Sequence, residues 1–276
     1  MTVTTDLEWV LRSPSLIKLP SGSGITDATD WLTGLIEPAG YTESTLDEAI
    51  PAPRRLGFYY ENIVEFIFNK SSQITVFKRN IQVKKDKITL GEFDFIGQQN
   101  QQIFHLECAV KFYLRVGKGD QLSDYIGPGK TDRLDKKYLR LLEHQLPLAK
   151  HRAAKDLLQQ LNLIPQRQRL LLQGYLFHPW QEGCPEQLAP EINPAHLQGW
   201  WLRQASASTL WQDTQLQLMP LDKPYWLHAR LQAPISQAEF NHWLSQQTRP
   251  VLVSRGIIDK GAWAETDRGF IVPDTW

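Results

Sequence analysis

The stretch GEFDFIGQQNQQIFHLECAVKFYL, residues 91–114, consists of two largely apolar segments on either side of the polar run QQNQQ. This pattern predicts two β-strands joined by a short turn. Acidic residues nevertheless stand inside both segments: Glu92 and Asp94 in the first and Glu107 in the second. A charge inside a sheet costs free energy unless it is paired or bound to a metal ion, so these acids require a chemical explanation.

Pairing of the two strands would bring these acids together. Side chains two residues apart share one face of a strand, which groups Glu92 with Asp94, and His105 with Glu107 and Lys111. The short turn then places Asp94 beside Glu107. Two adjacent carboxylates repel each other, and one takes up a proton unless a cation relieves the repulsion. Oxygen ligands of this kind suit Mg²⁺ or Mn²⁺, and such an ion activates water and stabilises the charge that develops on a phosphodiester.

The surrounding sequence predicts an α/β fold. The expected elements, in chain order, are a helix over 54–70, strands over 72–83, 88–97 and 103–114, a helical stretch over 131–161, and a strand over 169–180. Pro147 is expected to interrupt the long helical stretch. A meander of three strands followed by a crossover helix gives a mixed sheet with helices on its faces.

This helix–strand–strand–strand–helix–strand order resembles that of the PD-(D/E)XK nuclease superfamily, which includes restriction endonucleases and recombination nucleases. The resemblance covers residues 54–179 and implies a restriction-endonuclease-like core with N- and C-terminal additions. It also implies that Asp94 and Glu107 bind magnesium and that Lys111 lies near the attacking water. More narrowly, the segments HLECAVKFYL, GPGKTDRLDKK and EHQLPL resemble a bacterial family described as domain of unknown function 1853, which is placed in this superfamily by remote similarity.

The resemblance extends to three supporting features. Many superfamily members carry a glutamate on the helix before the sheet, for which Glu61 is the first candidate here and Glu65, one turn later, the second. Gln121 and Tyr125 have the QxxxY spacing of the RecB-like branch, whose members support the site from a helix. His105 shares the acidic face, either as support for the site or as a histidine satisfied within the sheet.

The lysine departs from the superfamily pattern. That lysine is expected two residues after Glu107, where this chain has Ala109. Lys111 lies two positions further, about 7 Å along the strand. Its long side chain would have to reach back, or another cation would have to substitute. The stand-ins on the following helix are Arg133, Lys136 and Lys137.

The charge of the chain is unevenly distributed, although the total is zero. Residues 54–155 contain 19 Lys and Arg against 11 Asp and Glu, and the rest of the chain contains 11 against 19. A basic segment of this kind fits a phosphate-facing surface. Within it, GPGKTDRLDKK offers backbone amides at a helix start together with cations, which predicts nucleic-acid backbone contacts. The residues concerned are Lys130, Arg133, Lys136 and Lys137. The alternative is a glycine-rich turn followed by a solvated helix face.

Three regions are expected along the chain. Residues 1–53 form an N-terminal accessory helical region, residues 54–180 form the core, and residues 181–276 form a Trp-rich α+β region. This last region is either a second domain or an extension of the same sheet. The chain from Trp180 onward holds 8 of the 10 tryptophans, and their apolar neighbours predict core packing rather than stacking on bases.

The sequence also bears on location and on other metals. It has no apolar run long enough to span a membrane and no secretory signal, which predicts a cytoplasmic protein without a membrane partner. His178 and His228 have no partners at metal-ligand spacing, so a zinc site is not expected.

The predicted function is therefore magnesium- or manganese-dependent hydrolysis of nucleic acid, with DNA as the expected partner. A rival reading is a catalytically inactive protein of the same fold that binds nucleic acid or acts as a scaffold. The displaced lysine supports that rival. A third reading, a glycosidase with a pair of carboxylates, conflicts with the basic surroundings.

Overall fold

The structure of the protein, a computed structural model, describes residues 5–37, 39–50, 55–213, 215–229 and 235–276. The predicted boundary between the N-terminal region and the core, at residues 53 and 54, lies outside the described residues. The helices are α1 (Asp6–Arg12), α2 (Thr29–Thr33), α3 (Glu43–Ala49), α4 (Leu56–Lys70), α5 (Leu134–Arg140), α6 (Arg152–Gln160) and α7 (Gln237–Ser245). The strands are β1 (Ile25–Asp27), β2 (Ile74–Lys85), β3 (Ile88–Gln99), β4 (Gln102–Arg115), β5 (Tyr125–Ile126), β6 (Arg167–Pro179), β7 (Leu197–Arg203), β8 (Gln217–Leu221), β9 (Val251–Asp259) and β10 (Ala262–Val272).

These strands form one mixed sheet. Its main path runs β2-β3-β4-β6-β7-β10-β9-β8, with β1 paired to β6 and β5 paired to β4. Strands β2, β3 and β4 are an antiparallel meander, and β6 returns parallel to β4 after the helical crossover. The predicted mixed sheet flanked by helices is therefore confirmed. The Trp-rich strands extend this same sheet, because β7 pairs with β6 and β10 with β7.

Two tight turns set the register of the meander. Asp86 and Lys87 both have positive φ between β2 and β3, as do Asn100 and Gln101 between β3 and β4. Two-residue turns with both residues in this conformation match the twist of paired strands. The second turn pairs the last residue of β3 with the first of β4. Counting back from it brings residue 94 opposite residue 107, as the sequence predicts.

Helices cover both faces of the central strands. Helix α4 buries an apolar stripe, with Tyr59, Ile63 and Ile67 at helical spacing, in a cluster that includes alternate residues of β4. The opposite face of β4 and β6 packs against Leu134, at the start of α5, and the residues that follow α5. Between α5 and α6 the chain passes through a π-helical turn over 141–145 and a 3₁₀ turn over 146–150, so the predicted interruption at Pro147 is present.

The tryptophans beyond β6 serve mainly the core, as predicted. Trp200, Trp226 and Trp263 are buried, and several others pack against the same clusters at their edges. Within the described part of the chain, no helix combines the length and apolar character required to cross a bilayer.

One glycine fixes the contact between β4 and β6. Gly174 has φ +139°, and a Cβ at this position would lie 1.7 Å from the carbonyl oxygen of Lys111. We expect Gly174→Ala to lower the free energy of unfolding by about 3 kcal/mol or more, because the alanine is strained and displaces the neighbouring strand. Urea unfolding measures the effect. Gly57→Ala in α4 is the control, since a Cβ there meets nothing within 4 Å. Equal stability of the two variants would contradict this close approach.

Candidate active site

The sheet opens at the acidic pair. Strand β3 pairs with β4 only over 95–99, whereas its remaining residues pair with β2 alone. Beyond this point β4 continues beside β6. At the point of divergence the backbone N–H of Cys108 donates to Asp94 Oδ2 over 2.9 Å, in place of a backbone carbonyl. The carboxylate of Asp94 therefore stands between the two strands.

Glu107 lies opposite Asp94 and is completely buried. The carboxyl groups of Asp94 and Glu107 are close enough to interact electrostatically. Glu107 Oε1 lies 2.7 Å from His105 Nε2, and Gln145 Nε2 donates to Oε2 over 2.5 Å. Each carboxylate oxygen has two acceptor positions, so these bonds orient Glu107 and leave lone pairs for a further partner.

The pair is electrostatically costly. Burial, together with the nearby charges of Glu107 and Glu61, raises the pKa of Asp94 to about 8. Burial also raises the pKa of Glu107, against the opposing effect of Lys137. The free protein therefore retains carboxyl protons at this site near neutral pH. A divalent cation would replace those protons and remove the repulsion, and two carboxylates are a usual protein contribution to a magnesium site.

His105 supports Glu107 as a neutral residue. Burial lowers the pKa of His105 to about 4. Its contact with Glu107 is therefore a hydrogen bond between uncharged imidazole and carboxyl group rather than an ion pair. The ring also packs edge-on against Phe93, with the ring centroids 4.8 Å apart. In the structure, His105 is in direct contact with Glu107, one member of the acidic pair.

A lysine of α5 interacts with the pair. Lys137 is half-buried and interacts electrostatically with both Asp94 and Glu107. Its Nζ donates to Gln145 Oε1 over 3.1 Å, so Gln145 connects Lys137 to Glu107. Lys111 instead donates to Asp132 Oδ2 over 2.6 Å. Lys111 is thus held by Asp132 in the loop before α5. Lys137, one of the cations predicted to substitute for it, interacts with the acids instead.

Glu61 lies at the edge of the pair, held by β2. Its carboxylate accepts from Arg79 over 3.1 Å, while Arg79 also binds Glu65. Burial raises the pKa of Glu61, and the nearby charge of Glu92 acts in the same direction. The helix glutamate predicted from the sequence is therefore close enough to affect Asp94 and Glu107, whereas Glu65 serves the ion pair with Arg79.

The predicted role of Gln121 and Tyr125 as helix-borne support is wrong. Gln121 precedes a 3₁₀ turn over 122–124, and Tyr125 begins β5 and pairs with Arg115 at the far end of β4. The Tyr125 hydroxyl donates to the carbonyl of Gly119. On an α-helix a four-residue spacing would place both side chains on one face, one turn apart, but this segment does not form an α-helix.

The other basic candidates lie on the loop before α5 and on α5 itself. Lys130 stacks over the ring of Trp276, with 4.8 Å between Nζ and the centroid. Arg133 makes a two-pronged ion pair with Asp135, and Lys136 is exposed. Of the four basic candidates, Lys137 is the one that interacts electrostatically with both Asp94 and Glu107.

Sequence reasoning missed Gln145 and Asp132. Gln145 lies in the π-helical turn, eight residues after Lys137, and no pattern in the sequence distinguishes it from the other glutamines of the chain. Asp132 reads as a helix-start residue. Its ion pair with Lys111 was not predictable, because it forms only when the loop before α5 folds against β4.

A pH dependence follows from the raised carboxyl pKa values. A group whose pKa is higher in the folded state stabilises the fold at low pH, and that stabilisation is lost as pH rises through the folded value. We expect the metal-free protein to lose about 1 kcal/mol of stability per carboxyl group between pH 7 and pH 8, since half of each proton is released by pH 8. Urea unfolding in a chelator measures this loss. Asp94→Asn should reduce the slope, and an identical slope in the variant would contradict the assignment.

The fold and this centre define an α/β protein in which the buried Glu107 and the half-buried Asp94 lie beside a lysine. The chain belongs to the family described as a domain of unknown function, DUF1853, which it matches over residues 5–272. No curated protein and no solved structure matches the chain significantly.

Proposed function

We propose that this protein is a metal-dependent nuclease that hydrolyses phosphodiester bonds in nucleic acid, with Mg²⁺ or Mn²⁺ held by Asp94 and Glu107. The observation that carries the proposal is the adjacency of the half-buried Asp94 and the buried Glu107, whose carboxyl groups have raised pKa values, at the point where β3 and β4 diverge. Buried like charges are expensive to retain, and structural ion pairing does not account for them, because neither is bonded to a cation among the described contacts.

The topology around the pair supports the proposal. Helix α4, the antiparallel meander β2–β3–β4, the crossover through α5 and α6, and the parallel strand β6 follow the order of a PD-(D/E)XK core. Asp94 lies on the second strand of this core and Glu107 on the third, as in that superfamily. The proposed fold is a restriction-endonuclease-like core extended by the C-terminal strands.

The donor set fits a hard divalent cation. Both candidate ligands offer oxygen, and Mg²⁺ typically takes one or two protein carboxylates and keeps several waters. When bound, the ion supplies a Lewis acid that activates water and stabilises the charge developing on the phosphate. His105 and Gln145 hold the Glu107 carboxylate in one orientation through their hydrogen bonds.

Lys137 takes the role that the sequence assigned to Lys111. Its ammonium group donates to Gln145 and lies in the field of both acids, so it is placed to orient a water or to neutralise charge at the reacting phosphate. Glu61 adds a third carboxylate at the edge of the site, where it can bind a water or a second ion. Lys111 is screened by Asp132 and contributes less.

The basic side chains around α5 fit the nucleic-acid backbone. Lys130 and Lys136 present ammonium groups at the surface on either side of Arg133. Cations at such positions bind phosphates without reading sequence. DNA is the expected partner and the cytoplasm the expected location.

An inactive relative that only binds nucleic acid is the second candidate. The observation in its favour is that Lys111 and Glu61 are already occupied by Asp132 and Arg79. The two candidates differ in whether metal addition produces cleavage.

Incubation of the full chain with single-stranded, double-stranded and branched DNA and with RNA, in Mg²⁺ or in Mn²⁺, tests the proposal. We expect cleavage products that require the metal and disappear with a chelator. Binding of any of these substrates without cleavage of any would favour the inactive relative. If none of these substrates is bound and none is cleaved, both candidates are contradicted.

A further inference from the structure

A second cluster of metal-binding side chains lies at the opposite end of the sheet. His178, Cys184 and His196 each offer one ligand atom, and these atoms all lie within 4.8 Å of one another. His178 is the second-last residue of β6, and His196 immediately precedes β7. Strand β6 places His178 eight residues beyond Leu170, the partner of Glu107, so the cluster is roughly 26 Å along the sheet from the acidic pair.

A tight turn returns the chain to His178. The N–H groups of Glu182 and Gly183 both donate to the carbonyl of Pro179, over 3.0 and 2.9 Å. Gly183 has φ +67°, the left-handed conformation that glycine adopts without cost. The following residue, Cys184, is thereby directed back toward the end of β6. The thiol is exposed while both imidazoles are buried, so the cluster opens to solvent on the cysteine side.

The hydrogen bonds of His196 leave one nitrogen free for a ligand. Its Nδ1 lies 2.7 Å from the carbonyl oxygen of Asn193, which can only accept, so Nδ1 carries the proton. The remaining Nε2 is buried and has no partner within the described structure. A backbone carbonyl that fixes the tautomer in this way is the usual outer support of a metal-binding histidine.

His178 is more unusual, because neither of its ring nitrogens has a hydrogen-bond partner among the described residues. Only 2% of the residue is exposed, and its ring lies 5.9 Å from that of His196. A buried polar group left unpaired costs about 1–3 kcal/mol. The unpaired nitrogens of both imidazoles lie close to each other and to the thiol of Cys184. A bound metal ion would accept their lone pairs.

The positive charge nearest the cluster is itself paired. Arg115 is buried beside the cluster, but its guanidinium donates to Glu182 over 2.7 Å and to the carbonyl of Gly117 over 2.6 Å. Its charge is therefore matched by a carboxylate. A thiolate at Cys184 would offset part of the charge of a bound ion.

We propose that His178, Cys184 and His196 bind one Zn²⁺ ion, with the fourth coordination position open to water. Two imidazoles and one thiolate are the donors that zinc prefers, and a tetrahedral site needs them about 3.5 Å apart. The ligand atoms, now within 4.8 Å of one another, would therefore approach by about 1 Å on binding. The ion ties the connection between β6 and β7 to the end of the sheet. This site is independent of the proposed nuclease centre.

The sequence expectation that no zinc site exists is therefore replaced by this proposal. Spacing alone missed the cluster because its three ligands come from a strand end, a turn and the residue before another strand. His228, the other histidine considered, is elsewhere: its backbone N–H donates to Asp6.

Cobalt substitution tests the site in the full chain. Reduced, metal-free protein is titrated with Co²⁺ and then with Zn²⁺, and absorption is recorded. We expect one equivalent of Co²⁺ to produce a thiolate-to-cobalt charge-transfer band with the intense visible bands of a four-coordinate ion, and Zn²⁺ to abolish both. The chain has two cysteines, which gives a matched pair of variants. Cys184→Ala should lose the charge-transfer band, and Cys108→Ala should keep it.

Two further variants separate this site from the acidic pair. His196→Ala should weaken Co²⁺ binding by about tenfold or more, and Asp94→Asn should leave the charge-transfer band unchanged. Circular dichroism confirms that each variant is folded. Absence of the band in the wild type, or its persistence in Cys184→Ala, would overturn the proposal. Loss of nuclease activity with the band intact would concern the other centre only.

Discussion

Asp94→Asn is expected to reduce metal-dependent cleavage by about a thousandfold or more while the protein remains folded. The substitution keeps the shape of the side chain and its hydrogen bond from Cys108, but it removes the charge that would hold the ion. Loss of a metal that stabilises the transition state costs several kcal/mol, and each 1.36 kcal/mol is a factor of ten in rate. The measurement is the rate of cleavage of the best substrate at saturating Mg²⁺.

The same substitution should not destabilise the metal-free protein at pH 8. Asparagine carries no charge, so it removes the cost of a buried carboxylate that the raised pKa of Asp94 reveals. Asp156→Asn, on the exposed surface of α6, is the matched control and should retain activity. Unchanged cleavage by folded Asp94→Asn would remove the basis of the proposed mechanism.

Lys137→Met is expected to lower the cleavage rate by about a hundredfold, with a smaller loss for Lys111→Met. Lys137 lies in the field of both acids and contacts Gln145, whereas Lys111 is paired with Asp132. Positioned groups that move or orient protons typically contribute a hundredfold or more. Methionine preserves the length and packing of the side chain and removes its charge. Single-turnover rates at saturating substrate distinguish this effect from weaker binding.

Lys155→Met on α6 provides the control, because that lysine is exposed and lies outside the proposed site. A larger loss for Lys111→Met than for Lys137→Met would mean that the ion pair with Asp132 opens when substrate binds. Lys111 would then perform the role that is proposed for Lys137.

The acidic pair was predictable from local sequence. A polar two-residue turn at Asn100 and Gln101 fixes the register of the hairpin, and the strand period then places Asp94 opposite Glu107. The helix of Glu61 was equally visible from its apolar spacing. These features depend on contacts between neighbouring elements, which short-range patterns encode.

The partners of the pair were not predictable in the same way. Which lysine of α5 faces the acids depends on how the helix packs and on a π-helical turn that shifts Gln145 toward Glu107. The QxxxY spacing failed because Gln121 and Tyr125 lie in a 3₁₀ turn and a short strand. Spacing arguments hold only when the element type is correct.

The C-terminal region shows the same limit at larger scale. Its mixed α+β character was predicted from the sequence, yet the place of its strands in the sheet rests on the pairing of β7 with β6 and of β10 with β7. Such parallel pairings join segments distant in sequence and leave no local pattern. The cluster of His178, Cys184 and His196 was missed for this reason as well.

The most direct test of the central claim is calorimetric titration of the protein with Mg²⁺ at pH 8, for the wild type and for Asp94→Asn. If Asp94 and Glu107 form the metal site, the wild type binds the ion and the variant does not, and Mn²⁺ gives the same contrast. Binding of equal affinity in both proteins, or no binding in either, would contradict a metal site at the acidic pair.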